Sequence, residues 1–203
     1  SCVAIEDIGT DAVNYSCTID ICYYDVPGNW TVSLSVEDIN GNRTYNETVN
    51  FTLLSTLSID VSPSALTFAS ISPGATNTTA VETLLVNNTG NQNITTNNVR
   101  MQAYDLVGAS AADDVIHASN FTVDVTSGGS PPSQCGNQTD MVNATAVGVA
   151  DSFIPRGNNS AGTSATEGVE SLYVCLVRAP PSALLPSQDY TATGVATWTV
   201  SAV

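Results

Sequence analysis

Along almost the whole of this chain apolar residues recur at every second position, and no stretch carries them at the helical spacing of three and four. A period of two sets side chains on alternate faces of an extended strand. The run from Tyr190 to Ala202 shows it best: Tyr190, Ala192, Gly194, Ala196, Trp198, Val200 and Ala202 alternate with Thr191, Thr193, Val195, Thr197 and Thr199. Near the front, Trp30, Val32, Leu34 and Val36 are set against Thr31, Ser33, Ser35 and Glu37. Tyr45, Val49, Phe51 and Leu53 return along a partner strand, with Glu47 as the odd polar residue on that face. Between them Asp38-Ile39-Asn40-Gly41-Asn42 carries Asn-Gly, the signal of a type I′ hairpin. The chain is therefore expected to be all-β and to build β-sandwiches.

Punctuation divides it in two. Residues 1–56 hold strands expected at 2–6, 14–24, 30–38 and 44–54. Residues 57–203 hold about seven or eight more, separated by Ser72-Pro73-Gly74, Asn87-Asn88-Thr89-Gly90-Asn91 and Gly128-Gly129-Ser130-Pro131-Pro132. Pro180, Pro181 and Pro186 interrupt the approach to the last strand. Four strands cover one sheet but do not easily close a two-sheet core. The first region thus either packs on the second or is an incomplete Ig-like domain that another chain completes by adding strands. In the second case the strands nearest the ends, 2–6 first and 190–203 second, are the expected donors.

Twelve of the eighteen asparagines lie in Asn-X-Ser/Thr with X never proline: Asn14, Asn29, Asn42, Asn46, Asn50, Asn77, Asn87, Asn93, Asn120, Asn137, Asn143 and Asn158. Ser and Thr make up 47 of 203 residues, so chance would place only about four asparagines in the motif. A Thr/Asn-rich β chain scatters some such triplets, but an excess of this size points to N-glycosylation during export, and so to an extracellular or cell-surface protein. Asn and its Ser/Thr share a face of a strand. By that rule Asn46, Thr48, Asn50 and Thr52 oppose the apolar set of their strand, as do Asn29 with Thr31, Asn14 with Ser16, and Asn120 with Thr122. Sugars are expected on the solvent face.

Charge narrows the partners. There is no lysine, only Arg43, Arg100, Arg156 and Arg178, and nineteen acids give a formal charge of −15. Such a field repels nucleic acid and anionic membrane. No run approaches the roughly 18 apolar residues of a membrane span, so no membrane insertion is expected. No basic-then-apolar segment opens the chain, and Ser1 is expected to mark a processed N-terminus.

Signs of catalysis are few. His117 is the single histidine, without a Gly-X-Ser-X-Gly elbow, and its neighbours Asp113 and Asp114 read as a solvated loop. The acid pairs Glu6-Asp7, Glu37-Asp38 and Asp113-Asp114 are adjacent, so on a strand their members face opposite ways. No catalytic residue and no cofactor are expected. Glu37, Asp38, Asn40 and Asn42, and separately Asp105, Asp113 and Asp114, gather hard oxygens, yet no calcium-loop pattern accompanies them and no metal is expected. Tyr23, Tyr24 and Trp30 could stack on a sugar, although parity turns Trp30 inward.

Five cysteines in an exported chain imply two disulfides and one remainder. Cys135 and Cys175 are the expected pair of the second region, tying the 128–140 loop to the apolar strand Leu172–Val177. Cys17 and Cys22, five apart, face opposite sides and do not bridge each other. For Cys2, face parity favours Cys22 whereas register across the 7–14 turn favours Cys17. The pair adopted is Cys2–Cys17, leaving Cys22 free or intermolecular.

The stretch Tyr23-Tyr24-Asp25-Val26-Pro27-Gly28-Asn29-Trp30-Thr31-Val32, followed by Val36-Glu37-Asp38-Ile39-Asn40-Gly41-Asn42, resembles Ig-like or PKD-like modules of secreted archaeal surface glycoproteins. Ser62-Pro63-Ser64-Ala65-Leu66-Thr67-Phe68, Ser72-Pro73-Gly74-Ala75-Thr76 and Leu84-Leu85-Val86-Asn87-Asn88-Thr89-Gly90-Asn91 are similar to the module that follows in such proteins and to the opening of camelysin-like fibre subunits. Tyr173-Val174-Cys175-Leu176 fits the same architecture. In sequences of this kind the position of Cys17 is often cysteine and that of Cys22 more often methionine, which marks Cys22 as the unpaired thiol. The resemblance implies a structural surface role, in which the partners are copies of the same chain or other surface proteins. An extracellular pilus-like or thread-like filament and a surface coat both fit. Fibre proteins of this kind can assemble by donating a strand to a neighbour. The alternative is a monomeric adhesin, a carbohydrate- or calcium-dependent binding module.

Overall fold

The computed structural model describes residues 2–7, 13–111, 113–125, 139–157, 168–181, 188–192 and 197–203. Among these residues the chain is all-β, with no α-helix and one 3₁₀ turn at Ala118–Asn120. The front builds two separate two-stranded antiparallel sheets, β1 (Cys2–Asp7) with β2 (Val13–Cys17) and β3 (Gly28–Glu37) with β4 (Arg43–Leu53). Twelve short strands follow. They are β5 (Ile59–Ser62), β6 (Thr76–Thr79), β7 (Leu84–Asn88), β8 (Val99–Ala103), β9 (Leu106–Gly108) and β10 (Val115–Ile116), then β11 (Phe121–Asp124), β12 (Thr139–Asp140), β13 (Thr145–Gly148), β14 (Val169–Arg178), β15 (Tyr190–Thr191) and β16 (Thr199–Ala202).

One sheet runs β12-β11-β14-β7-β5 with β6 also beside β14, and two smaller sheets run β13-β8-β16 and β10-β9-β15. The ten-residue β14 sits at the centre. Its first half pairs with β7, its second half with β6, and its other edge with β11. A strand enclosed on all sides has no polar face to present. Accordingly Leu172, Val174, Cys175 and Leu176 are all buried. Around them pack Val86, Val99, Met101, Val123, Met141 and Phe121, whose ring meets Trp198 edge-on at 5.1 Å and Phe68 at 5.5 Å.

Three expectations need correction here. The run 190–202 is not one strand: β15 pairs with β9 and β16 with β8, with Thr197 and Trp198 outside both. The partner run is likewise divided between Ala103 and Leu106, where the Trp198 indole N–H donates to the Tyr104 carbonyl at 2.8 Å. The strand expected at 14–24 ends at Cys17, and further on Asp25 turns the chain: its carboxylate accepts the Cys22 amide at 2.7 Å and its own amide donates to the Cys22 carbonyl at 3.1 Å. Thr122 is not on a solvent face but 3% exposed, since β11 lies between β12 and β14. The 128–138 stretch, Pro186 and residues 193–196 lie outside the described residues.

Phe121→Ala is expected to lower unfolding stability by about 3–5 kcal/mol. Ile5→Ala, at a site 65% exposed, is expected to change it by less than about 0.5 kcal/mol. Denaturant unfolding of both variants checks the contrast.

Candidate functional site

None of the described residues before Ile59 takes part in the core. Among the described residues, fifteen of the twenty large hydrophobic side chains left exposed fall at or before Leu57. They include Val3, Ile5, Val13 and Tyr15 on the first hairpin, Ile19, Ile21, Tyr23 and Val26 in the connection, and Leu34, Val36, Tyr45 and Val49 on the second. Large exposed apolar patches mark interaction sites, and the front segment holds most of the exposed large hydrophobic side chains among the described residues. It is the feature of this molecule with the clearest functional content.

The second hairpin is two-faced. Trp30 pairs with Phe51 across the strands, their rings stacked at 6.1 Å, and Val32 pairs with Val49. The indole N–H of Trp30 donates to the Val26 carbonyl at 2.8 Å, fixing the ring at the base of the sheet. Paired residues share a face, so the opposite face carries Asn29 with Thr52 and Thr31 with Asn50. There the Thr52 hydroxyl donates to Asn29 Oδ1 at 2.7 Å and the Thr31 hydroxyl to Asn50 Oδ1 at 2.7 Å. Two glycosylation triplets thus lie antiparallel, each holding the asparagine of the other.

Register then shifts between Val32 and Leu34. Glu47 and Thr48 together oppose Ser33, whose hydroxyl donates to Glu47 at 3.0 Å. A bulge of this kind inverts face parity beyond it. Asn46 therefore pairs with Leu34 and Tyr45 with Ser35. The expectation that Asn46 shares a face with Asn50, and Tyr45 with Val49, is overturned. Glu47 is no misplaced polar residue but part of the bulge. The Asn46 carboxamide oxygen instead accepts from both the amide (2.9 Å) and the hydroxyl (2.7 Å) of Thr48.

The hairpin turn also departs from type I′, which needs positive φ at both central residues. Here only Gly41 has it, at +82°. Asp38 governs the turn instead: its carboxylate accepts the amides of Asn40 (2.8 Å) and Asn42 (2.9 Å) and the side-chain N–H of Asn42 (2.7 Å). Those bonds, the Asn42 side chain first, hold its carboxyl below the usual carboxylate range. Beside it Glu37 pairs with Arg43, both partly exposed.

The front attaches to the sandwich through polar groups. Asn91, 3% exposed, donates from Nδ2 to the Leu54 carbonyl at 2.9 Å and accepts the Thr56 amide at 2.7 Å, while its own amide donates to the Thr56 carbonyl at 3.0 Å. Gly90 has to be glycine, because a Cβ there would stand 2.3 Å from the Thr56 oxygen. Buried Asn88 braces the same loop, donating to the carbonyls of Gln92 and Pro155 and accepting the Gly90 amide. These two buried asparagines belong to no glycosylation triplet. Of the twelve that do, Asn14, Asn29, Asn42, Asn46, Asn50, Asn77, Asn93 and Asn143 are exposed, Asn87 and Asn120 are half-buried, and Asn137 and Asn158 lie outside the described residues. Nothing in the triplet pattern marked Asn91 as a structural pin; its signal was a burial that only the fold reveals.

A disulfide joins Cys2 to Cys17, which stand directly opposite in the β1–β2 register. Cys22 is a free, exposed thiol. Cys175 is disulfide-bonded, and its expected partner Cys135 lies outside the described residues. The scattered acids do not converge. Asp105 accepts the Ala118 amide at 2.7 Å and faces His117 Nδ1 at 3.1 Å, whereas Asp114 accepts from Gln188 at 2.8 Å. Among the described residues no group of three His, Cys, Asp or Glu side chains could hold a metal ion, and no helix is long and apolar enough to cross a membrane. The chain matches no protein-family model, no curated protein and no solved structure.

The depressed Asp38 carboxyl has a stated consequence for pH. Its bonds are present above the ordinary carboxylate range and are lost as pH falls through the lowered folded value. Protection of the Asn40 and Asn42 amides, taken relative to their intrinsic exchange rates at each pH, should therefore fall on acidification, and Asp38→Ala should show the low protection already at neutral pH. Unchanged exchange in the variant would contradict this role.

Proposed function

We propose that the protein is a structural subunit of an extracellular filament or surface coat, N-glycosylated at its Asn-X-Ser/Thr triplets, in which the front region 1–56 joins neighbouring subunits and the region 57–203 is the autonomous sandwich. The observation that carries this reading is the apolar surface of the two front hairpins, uncovered within the chain. A lone two-stranded sheet is marginal in water. Covering one face supplies the missing burial, at about 1.5–3 kcal/mol for each large side chain fully enclosed.

Further support comes from geometry and charge. Each strand of the two front sheets has one unpaired edge among the described residues, which suits assembly by strand addition through main-chain hydrogen bonds, with alternate side chains giving specificity. A partner of the same acidic composition gains nothing from ion pairing, so the joint relies on apolar contact and backbone bonds. Exposure of the triplet asparagines suits a sugar-clad surface, and an extracellular location follows from that proposal.

The test is a pair of variants on the native chain. Val49→Glu, at a site 59% exposed, should leave the sandwich's melting transition in place while abolishing high-mass assemblies in sedimentation. Removal of residues 1–7 should do the same. Assemblies of normal size from both variants would remove the front region from the joint and refute this reading.

A further inference from the structure

Sugar transfer to asparagine forms a bond between the carboxamide nitrogen and the anomeric carbon of a lipid-linked oligosaccharide. The bond from that carbon to the lipid phosphate breaks and one amide proton is lost. The transferring enzyme grips the asparagine and the hydroxyl two residues on, within one triplet, and needs each of these two side chains unbonded to a neighbouring strand. The hairpin β3–β4 denies both conditions at two sites together. Asn29, Thr31, Asn50 and Thr52 all lie in the antiparallel ladder. The Thr31 hydroxyl is spent on Asn50 and the Thr52 hydroxyl on Asn29, each at 2.7 Å. Neither triplet keeps its own hydroxyl for its own asparagine.

From this geometry we infer that Asn29 and Asn50 are one coupled modification site, able to receive sugar only before the hairpin closes. The inference rests on the glycoprotein reading above and adds an order of events to it. The triplet Asn46-Glu47-Thr48 in the same hairpin behaves oppositely, because its hydroxyl bonds its own asparagine at 2.7 Å and the bulge takes Glu47 and Thr48 out of regular pairing. It remains a substrate after folding. Once both sugars are attached they stand on one face as diagonal neighbours, about 7–8 Å apart. Together they clad the face opposite the Trp30–Phe51 stack. Early modification thereby decides which side of the hairpin stays bare for a neighbour.

Two arms on the unaltered full chain test this. In one, the chain is synthesised cell-free with membrane vesicles carrying the oligosaccharyl transferase and its lipid-linked oligosaccharide. In the other, chain folded in a host without glycosylation is offered to the same vesicles after detergent opening. Glycopeptide mass spectrometry then reads occupancy at each site. The expected result is sugar at Asn29, Asn46 and Asn50 in the first arm, and near-complete loss at Asn29 and Asn50 with retention at Asn46 in the second. Folded chain modified at Asn29 and Asn50 as readily as at Asn46 overturns the coupling and leaves the glycoprotein reading intact. No sugar at any triplet in the first arm defeats that reading, and the coupling with it.

Discussion

Among the described residues, the buried hydrophobic side chains form one cluster. The fully enclosed side chains gather around β14, a strand with neighbours on both edges and apolar residues on both faces. No described residue of the front hairpins belongs to that core. They hang from a short polar junction in which Asn91 pins Leu54 and Thr56, and Gly90 lets the two backbones touch. Asn91 is itself buried there with both ends of its carboxamide hydrogen-bonded. The sandwich thus carries a front segment whose exposed hydrophobic side chains no described residue of the chain covers.

Exposed strand edges invite indiscriminate pairing, and proteins commonly guard them with lysine, proline or bulges. This chain has no lysine. It does have a bulge in the middle of its longest hairpin and glycosylation triplets along it. On the proposed reading the sugars at Asn29 and Asn50 shield one face, and the bulge carries Asn46 across to the other, next to Leu34. That leaves the half bearing Trp30, Val32, Val49 and Phe51 as the bare patch. One inserted residue in β4 therefore determines how far along the hairpin a neighbour can sit.

The all-β class was legible because alternation survives wherever one face is buried and the other is wet, as Trp30, Val32 and Phe51 illustrate. Alternation fails where that condition fails. β11 is covered on both sides, so Phe121, Thr122 and Val123 are all buried and Thr122 misled the parity argument. A bulge leaves no mark in composition, so the side on which Asn46 falls could not be read from spacing. The turn at Asp38 was placed correctly but typed wrongly, because its side chain rather than Asn-Gly stereochemistry organises the backbone. Asn91 looks like any other loop asparagine until the chain from residue 54 to residue 56 is laid against it. The exposed front hydrophobics were visible as residues, but their exposure depends on what packs elsewhere, which no local pattern records.

On the proposed reading, neighbouring subunits cover the front apolar surface in the native state. Electron microscopy of material taken directly from its source, without denaturant or reductant, tests it most directly. Regular filaments or a lattice whose subunit contacts run through residues of the two front hairpins are expected. Dispersed particles of single-chain size, with those hairpins in solvent, would contradict it.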